Sequence, residues 1–329
     1  MSRPRVFITR LIPSAGLQLI QQACQFDLWP EQLPPTRQQL LEHVRGIDGL
    51  LCLLTDRIDG EIMDAAGPQL KVISNHAVGF DNIDIPAATA RRIPVGNTPG
   101  ILTESTADFT FALLLAAARR VVEGAENVRS GGWKTWDPLG LLGADVHGAT
   151  LGLVGFGRIG QAVARRAAGF GMRILYHDPS PLPDITGLPP VTAATFDHLL
   201  AESDFVSIHT PLNAQTRSLF STAAFERMKP TAILINTARG PVIDQAALHH
   251  ALKTRRIAFA AIDVTDPEPL PLDSPLLELD NLLITPHIAS ASTATRQKMA
   301  TMAAANLLAG LLDTPLPNCV NPEIYSPTP

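Results

Sequence analysis

The stretch that decides the fold is "LGLVGFGRIGQAVARRAAGFG", Leu151 to Gly171. It contains Gly155, Gly157 and Gly160 in the G-x-G-x-x-G arrangement, between an apolar strand pattern and a helical pattern. In this context the first glycine allows a tight turn, the second lets a pyrophosphate approach the backbone, and the third permits close helix–strand packing. The stretch predicts a dinucleotide-binding unit with phosphates at the helix N-terminus. The alternative is a glycine-rich turn that serves packing alone.

An acidic residue follows the glycines at an informative distance. Asp178 ends the next strand pattern, 18 residues after Gly160, where a carboxylate accepts hydrogen bonds from an adenosine ribose. A 2'-phosphate would meet this carboxylate, and the following "PSPLPD", residues 179–184, supplies no arginine to compensate. We therefore predict NADH rather than NADPH. The alternative for Asp178 is the start of a proline turn, and the neighbouring His177 is interpreted as a strand-end residue.

Length and composition restrict the class of protein. The chain of 329 residues suits two domains, and its net charge of −5 without a basic cluster argues against a nucleic acid partner. The three cysteines have neither metal-ligand spacing nor a disulfide pattern. The basic start has only a short apolar run, and "FTFALLLAAA", residues 109–118, falls short of the ~20 residues that span a bilayer. We expect a cytoplasmic protein without a membrane segment.

Strand and helix patterns alternate along the chain, which predicts an α/β fold with parallel sheets and crossover helices in both parts. The smaller domain is predicted to be discontinuous, from residues 1–99 and 288–329, and residues 100–287 form the dinucleotide-binding domain. Six strands are expected in the latter: "TLGLVG", "MRILYH", "DFVSIHT", "TAILINT", "AFAAIDV" and "NLLIT". Thr103 is predicted to cap one long helix to about Arg129, and a last helix spans about residues 293–312.

Three polar residues follow successive strand patterns of the second domain. Arg239 follows "AILINTA", Glu268 lies in "DVTDPEP", and His287 follows "LLITP". Ligands gather beyond the carboxyl ends of strands in open α/β sheets, so these side chains can converge. The planar fork of an arginine suits a carboxylate, and a histidine beside a carboxylate suits proton donation to a carbonyl oxygen. Behind a nicotinamide site they predict reduction of a 2-keto acid, although each alone would be interpreted as an ordinary loop residue.

The other histidines have no such partnership in the sequence. His249 and His250 lie on a polar helix face, and no pair has the spacing of metal ligands. We therefore predict no metal site.

The sequence resembles the D-2-hydroxyacid dehydrogenase family, and within it the glyoxylate/hydroxypyruvate reductases, over nearly its full length. The motifs that carry the resemblance are "NHAVGFDNID", "NTPGILTESTAD", "GGWKTWDPLG", "GFGRIG", "NTARGPVID", "DVTDPEPLP" and "TPHIASAS". It implies two Rossmann-like domains with doubly wound parallel sheets, of which the smaller, discontinuous one binds the substrate and the other binds NAD. It also implies a homodimer, hydride transfer from a nicotinamide, His287 as proton donor, Glu268 as its partner and Arg239 as carboxylate ligand. It also implies that the backbone of Val78 and Gly79 binds the substrate carboxylate and that closure of the two domains excludes water.

The resemblance assigns further positions. It implies cofactor contacts at Arg158 and Ile159 in the pyrophosphate loop, Thr210 and Pro211 on the adenosine side, Thr237 and Ala238 beside the nicotinamide ribose, Asp263 at the carboxamide, and Thr103 near the nicotinamide. Trp136 corresponds to a tryptophan near the partner subunit's active site, with core packing as its alternative.

Several reductases of this group have an arginine after the second strand and use NADP, so the cofactor is predicted from Asp178 and not from the subfamily. The predicted activity is reduction of glyoxylate, with hydroxypyruvate as an additional substrate. The alternatives are a dehydrogenase for a bulkier 2-keto acid, a phosphite-type oxidation, and an NAD-sensing, corepressor-like binding protein.

Overall fold

The structure, a computed structural model, describes residues 3–180 and 186–326. The first part of the chain contains β1 (Arg5–Ile8), α1 (Ser14–Ala23), β2 (Gln25–Leu28), α2 (Arg37–His43), β3 (Gly49–Cys52), α3 (Gly60–Ala66), β4 (Val72–Asn75), α4 (Ile85–Ala90) and β5 (Val95–Gly96). The remainder contains α5 (Thr103–Ala118), α6 (Val121–Arg129), β6 (Thr150–Val154), α7 (Arg158–Ala168), β7 (Arg173–His177), β8 (Val191–Ala193), α8 (Phe196–Glu202), β9 (Phe205–Ile208), α9 (Thr222–Arg227), β10 (Ile233–Asn236), α10 (Gln245–Lys253), β11 (Phe259–Ile262), β12 (Leu282–Ile284) and α11 (Thr293–Leu311). Short 3-10 helices lie at Gly240–Val242, Pro275–Glu278 and Pro322–Tyr325.

The chain divides into two compact units. The first comprises Met1–Leu102 and Ala291–Pro329, and the second comprises Thr103–Ser290. Both borders lie three residues beyond those expected from the sequence, at 102 instead of 99 and at 290 instead of 287. α11 belongs to the first unit and packs there against α1 and the strands β3 and β4.

Within the described residues, the first unit has a five-stranded parallel sheet in the order β2-β1-β3-β4-β5. The inner strands β1, β3 and β4 are largely buried on both faces, because one face packs on α2 and α3 and the other on α1 and α11. Neighbouring residues of β4 show this: Ile73 packs on the face covered by α2 and α3, and Val72 packs on the face covered by α1 and α11. Burial on both faces explains the continuous apolar runs of these strands.

The second unit has, within the described residues, a seven-stranded parallel sheet in the order β12-β11-β10-β9-β6-β7-β8. The strand order reverses between β6 and β9, so the loop after β6 lies at the point where such sheets bind their ligands. Helices α5 and α7 cover one face, and α8, α9 and α10 cover the other. The predicted α/β class with two parallel sheets is confirmed.

Two strands were missed by the sequence analysis. All six expected strands of the second unit are present, but β8 adds a seventh, and β2 was not predicted in the first unit. Both are edge strands with partly exposed side chains, so they lack the apolar run that revealed the others.

The single long helix expected from Thr103 to about Arg129 is wrong. The chain forms α5 and α6, because Arg120 adopts the left-handed conformation with φ of 51° between them. Thr103 is the first residue of α5, and the last helix ends at Leu311.

Candidate active site

The glycine loop after β6 has the geometry that each glycine was expected to allow. Gly155 has a φ of +93°, and a Cβ there would lie 2.6 Å from the carbonyl carbon of His209. At Gly160 a Cβ would collide with the carbonyl oxygen of Gly155. The tight turn and the close approach of α7 to β6 therefore both require glycine.

The middle glycine faces open space. Gly157 precedes α7, and a Cβ at this position would meet no atom of the described residues within 4 Å. Arg158, which is exposed, and Ile159, which is half-buried, begin the 11-residue helix. The loop thus offers free helix N–H groups beside an open backbone, an arrangement that fits a pyrophosphate.

Asp178 supports this loop from the end of β7. Its Oδ2 accepts a hydrogen bond from the N–H of Phe156 at 2.7 Å, and its Oδ1 accepts one from the N–H of Ser180 at 2.9 Å. Partial burial acts to raise the pKa of Asp178, but these backbone hydrogen bonds outweigh it and lower the pKa below the usual value. The carboxylate is therefore charged and fixed at neutral pH. Residues 181–184 of the segment expected to lack an arginine lie outside the described residues.

Other expected cofactor residues also follow the carboxyl ends of strands in the second unit. Thr210 and Pro211 follow β9, whose end packs on the glycine loop. Thr237 follows β10, is nearly buried, and has its Oγ1 3.0 Å from that of Thr110 on α5. Ala238 donates its N–H to the side chain of Asn236 at 3.0 Å.

Asp263 holds the turn that carries His287. Its Oδ1 accepts hydrogen bonds from Thr285 Oγ1 at 2.6 Å and from the N–H of Ile288 at 2.9 Å. Its Oδ2 accepts one from the N–H of Ala289 at 2.7 Å, and its backbone oxygen accepts the N–H of His287 at 2.9 Å. The carboxylate is thus already engaged by the turn after β12, and the carboxamide contact expected of Asp263 stays a prediction.

His287 and Glu268 form a pair. The Nδ1 atom of His287 lies 2.8 Å from Oε2 of Glu268, and about a quarter of each side chain is exposed. Glu268 Oε1 also accepts a hydrogen bond from the N–H of Thr265 at 3.1 Å, which fixes the carboxylate. His287 has a φ of 54°, a left-handed conformation that is uncommon for a residue with a side chain. An imidazole held in this way keeps Nε2 for another partner.

Arg239 lies just after the carboxyl end of β10. β10, β11 and β12 are adjacent and parallel, and Arg239, Glu268 and His287 follow them in that order. One guanidinium N–H of Arg239 donates to the carbonyl of Ala238 at 2.8 Å, and the carbonyl of Arg239 accepts from Asn236 Nδ2 at 2.9 Å. The structure therefore brings Glu268 and His287 into contact and places Arg239 beyond the carboxyl ends of the same set of parallel strands.

Val78 and Gly79 lie in the first unit, in the turn after β4. Both are half-buried. Within residues 3–180 and 186–326, neither of their N–H groups donates a hydrogen bond to the protein. Two neighbouring backbone donors without a protein acceptor can hold an anion.

Other histidines are unsuited to proton donation. Burial lowers the pKa of His76 to about 4 and that of His209 to about 3, so both are neutral at neutral pH. His177 contacts the carbonyl of Ala194 through Nδ1 at 3.1 Å, as expected of a strand-end residue. His43 also has a carboxylate partner, since its Nδ1 lies 2.7 Å from Oδ2 of Asp27, but it belongs to α2 of the first unit. His287 is distinguished by a carboxylate partner beyond the carboxyl ends of the strands of the second unit.

The loop before β6 is largely exposed. Trp136 has 79% of its surface exposed, and Trp133 has 66%, so packing of Trp136 in the core of its own unit is wrong. In the described part of the chain, His, Cys, Asp and Glu side chains form no group of three that could hold a metal ion. Each helix described there is too short or too polar to cross a lipid bilayer.

Sequence reasoning missed residues that support the site. Thr265 and Thr285 fix Glu268 and Asp263, and the buried Asn236 orders the turn of Arg239. All three lie at or just beyond strand ends in polar positions, and that placement is the signal that could have found them.

Comparison with known proteins agrees with this geometry. Residues 111–289 match the family described as "D-isomer specific 2-hydroxyacid dehydrogenase, NAD binding domain". A glyoxylate reductase of Korarchaeum cryptofilum is 52% identical, over 99% of this chain and 98% of its own. A crystal structure of a Thermus thermophilus protein has a TM-score of 0.89 at 48% identity and covers 96% of this chain and 99% of its own.

A solved relative in complex with a cofactor is also similar over the whole chain. An NADPH-dependent glyoxylate/hydroxypyruvate reductase from Sinorhizobium meliloti, in complex with NADP and malonate, is 30% identical with a TM-score of 0.84 and covers 100% of both chains. The family match and these full-length relatives identify the chain as a member of the D-isomer-specific 2-hydroxyacid dehydrogenase family.

Proposed function

We propose that this protein reduces glyoxylate to the corresponding 2-hydroxy acid with NADH, and accepts hydroxypyruvate as a further substrate. The observation that carries the proposal is the 2.8 Å contact between His287 Nδ1 and Glu268 Oε2 beside the strand end of Arg239. The glyoxylate reductase of K. cryptofilum, at 52% identity over the full length, supports this choice of substrate.

His287 is the proposed acid. The Glu268 carboxylate accepts the hydrogen of Nδ1 and fixes the orientation of the ring, and Nε2–H donates to the substrate carbonyl oxygen. When bound, the reduced nicotinamide supplies the hydride that goes to the carbonyl carbon. The proton of Nε2 passes to the oxygen and completes the hydroxyl group.

The substrate carboxylate is the proposed partner of Arg239. A guanidinium donates two parallel hydrogen bonds to the two oxygens of a carboxylate, which lysine cannot do. The N–H groups of Val78 and Gly79 are proposed as further carboxylate donors, because they donate to no acceptor within the described residues. Both contacts select for a 2-keto acid, since they require an anion beside the carbonyl.

NADH is the proposed cofactor in preference to NADPH. The Asp178 carboxylate is charged and fixed by two backbone hydrogen bonds, so it can accept from a ribose hydroxyl and repels a 2'-phosphate. The S. meliloti relative binds NADP, and the preference of this chain therefore rests on Asp178.

One experiment tests substrate and cofactor together. Initial rates are measured for glyoxylate, hydroxypyruvate and a bulky aromatic 2-keto acid, each with NADH and with NADPH. We expect the highest kcat/KM with glyoxylate and NADH, at least about tenfold above NADPH, which corresponds to about 1.4 kcal/mol. Asp178→Ser should reduce this preference. The control Asp204→Asn, which alters a carboxylate bound to the N–H of Thr150 at the opposite end of the strands, should leave it unchanged. A wild-type preference for NADPH would refute the cofactor proposal alone.

A homodimer is the proposed assembly. Apolar side chains of α6 and the following loop are at least half exposed: Val121, Val122, Val128, Trp133, Trp136, Leu139 and Leu142. Soluble monomers rarely leave large apolar patches uncovered. We propose that a second copy of the chain covers these side chains. Sedimentation should give twice the 35.2 kDa of one chain for the wild type and one chain mass for Trp133→Glu/Trp136→Glu. A monomeric wild type at micromolar concentration would contradict the proposal.

A further inference from the structure

Two buried asparagines hold the turn that contains Val78 and Gly79. Nδ2 of Asn97, just after β5, donates to the carbonyl oxygen of Val78 at 2.8 Å. Nδ2 of Asn75, the last residue of β4, donates to the carbonyl oxygen of Gly79 at 2.9 Å. Asn75 is 0% exposed and Asn97 is 9% exposed, so water competes little for these amides. Both carbonyl groups of the turn are therefore held by side chains that lie at strand ends.

The turn is further fixed by a third amide. The second hydrogen bond of Asn75 Nδ2 goes to Asn82 Oδ1 at 3.0 Å. Asn82 Nδ2 in turn donates to the carbonyls of Leu53 and Asp56, each at 3.0 Å, in the loop after β3. The turn after β4 is therefore tied to the neighbouring strand end as well as to its own strand.

The backbone of Asn97 is held by a residue of α11. Asn306 on α11 is fully buried, and its Nδ2 donates to the backbone oxygen of Asn97 at 2.8 Å. The space for this contact exists because Gly96 has no side chain, since a Cβ there would lie 2.7 Å from Cβ of Asn306. The backbone that carries Asn97 is thus fixed independently of the bond that its side chain makes to Val78.

The orientation of a peptide group fixes its N–H and its C=O together, because the peptide unit is planar. The hydrogen bond from Asn97 to the carbonyl of Val78 therefore also fixes the N–H of Gly79, and the bond from Asn75 to the carbonyl of Gly79 fixes the N–H of Phe80. The N–H of Val78 shares its peptide unit with the carbonyl of Ala77, which accepts the N–H of Thr98 at 2.9 Å. The N–H groups of Val78 and Gly79 donate to no acceptor in residues 3–180 and 186–326. Binding an anion to prearranged donors requires no ordering of the turn, which favours affinity.

We propose that Asn75 and Asn97 are positioning residues. Asn97 fixes the peptide unit that carries the N–H of Gly79, and Asn75 fixes the next peptide unit of the same turn, so that the N–H groups of Val78 and Gly79 keep the orientation that binds the substrate carboxylate. This inference rests on the proposed function of the turn. It adds that substrate affinity depends on two side chains that need not touch the substrate. Without either amide, a partly buried carbonyl loses its donor and the peptide group can rotate to find another.

The test measures Asn97→Ala and Asn75→Ala with glyoxylate and with the cofactor varied separately. We expect the KM for glyoxylate and the inhibition constant of oxalate to rise about tenfold each, which corresponds to about 1.4 kcal/mol. The kcat should change less than about threefold and the KM for NADH should stay the same, because the proton donor and the cofactor loop are untouched.

The matched control is Asn321→Ala. Asn321 is 1% exposed and forms hydrogen bonds with Val95, Thr89 and Ile93 in the same unit. Within the described residues, none of these hydrogen bonds involves the turn after β4. It should lower Tm and leave both KM values unchanged. If Asn97→Ala behaves in the same way, its role is structural and the inference is wrong.

Two further outcomes are distinguished by design. Should the alanine variants fail to fold, Asn97→Ser is measured instead, and an unchanged KM for glyoxylate would again overturn the inference. If wild-type protein does not turn over glyoxylate at all, the proposed function fails. If the wild type is active and the asparagine variants keep its KM, only the positioning role fails.

Discussion

The variant His287→Asn is expected to reduce glyoxylate with a kcat about 10²–10⁴-fold below that of the wild type, the usual contribution of a general acid. The proton donor Nε2 is lost, whereas the backbone is preserved, because asparagine tolerates the left-handed φ of 54° at this position better than alanine does. His287→Ala should show at least as large a loss. The measurement is kcat at saturating glyoxylate and NADH, with a check that Tm is maintained.

The matched control for this prediction is His250→Asn, which alters an exposed histidine of α10 in the same unit. It should leave kcat unchanged. A normal kcat for His287→Asn would mean that His287 is an ordinary loop residue and that another group protonates the product.

Arg239→Ala is expected to lower kcat/KM for glyoxylate by about 10- to 150-fold, the range that corresponds to about 1.5–3 kcal/mol for a hydrogen-bonded charged group. Most of the loss should appear as a higher KM, because the guanidinium binds the carboxylate both before and during the reaction. Arg239→Lys should recover only part of it, since an ammonium retains the charge but not the paired donors. Saturation curves with glyoxylate provide both constants.

Arg173→Ala is the control for this loss of charge. Arg173 begins β7 at the amino end of the strands and lies 3.6 Å from Glu202. Its removal should not affect the KM for glyoxylate. If Arg239→Ala also leaves that KM unchanged, the substrate carboxylate is bound elsewhere.

The glycine loop was predictable because its geometry depends on local sequence. The left-handed Gly155 and the contact of Gly160 with the backbone of Gly155 follow from residues within one turn and one helix. The edge strands β2 and β8 and the break at Arg120 were not predictable in this way. Partly exposed strands carry a weak pattern, and nothing in the composition around Arg120 distinguishes a left-handed residue from a helical one.

From the sequence, the order of the strands could show only that His287 and Glu268 can lie close together. Parallel strands have their carboxyl ends on the same side of the sheet. The 2.8 Å contact between His287 Nδ1 and Glu268 Oε2 also depends on Thr265 and on the turn held by Asp263. The asparagines that hold Val78 and Gly79 were not found from the sequence, because their partners are backbone oxygens. A backbone acceptor leaves no residue type for a pattern to detect.

The most direct test of the account is the initial rate of NADH oxidation by purified wild-type protein with glyoxylate at neutral pH. The account predicts saturable turnover that exceeds the rate with NADPH and is nearly abolished in His287→Asn. Absence of glyoxylate-dependent oxidation of either NADH or NADPH would contradict it.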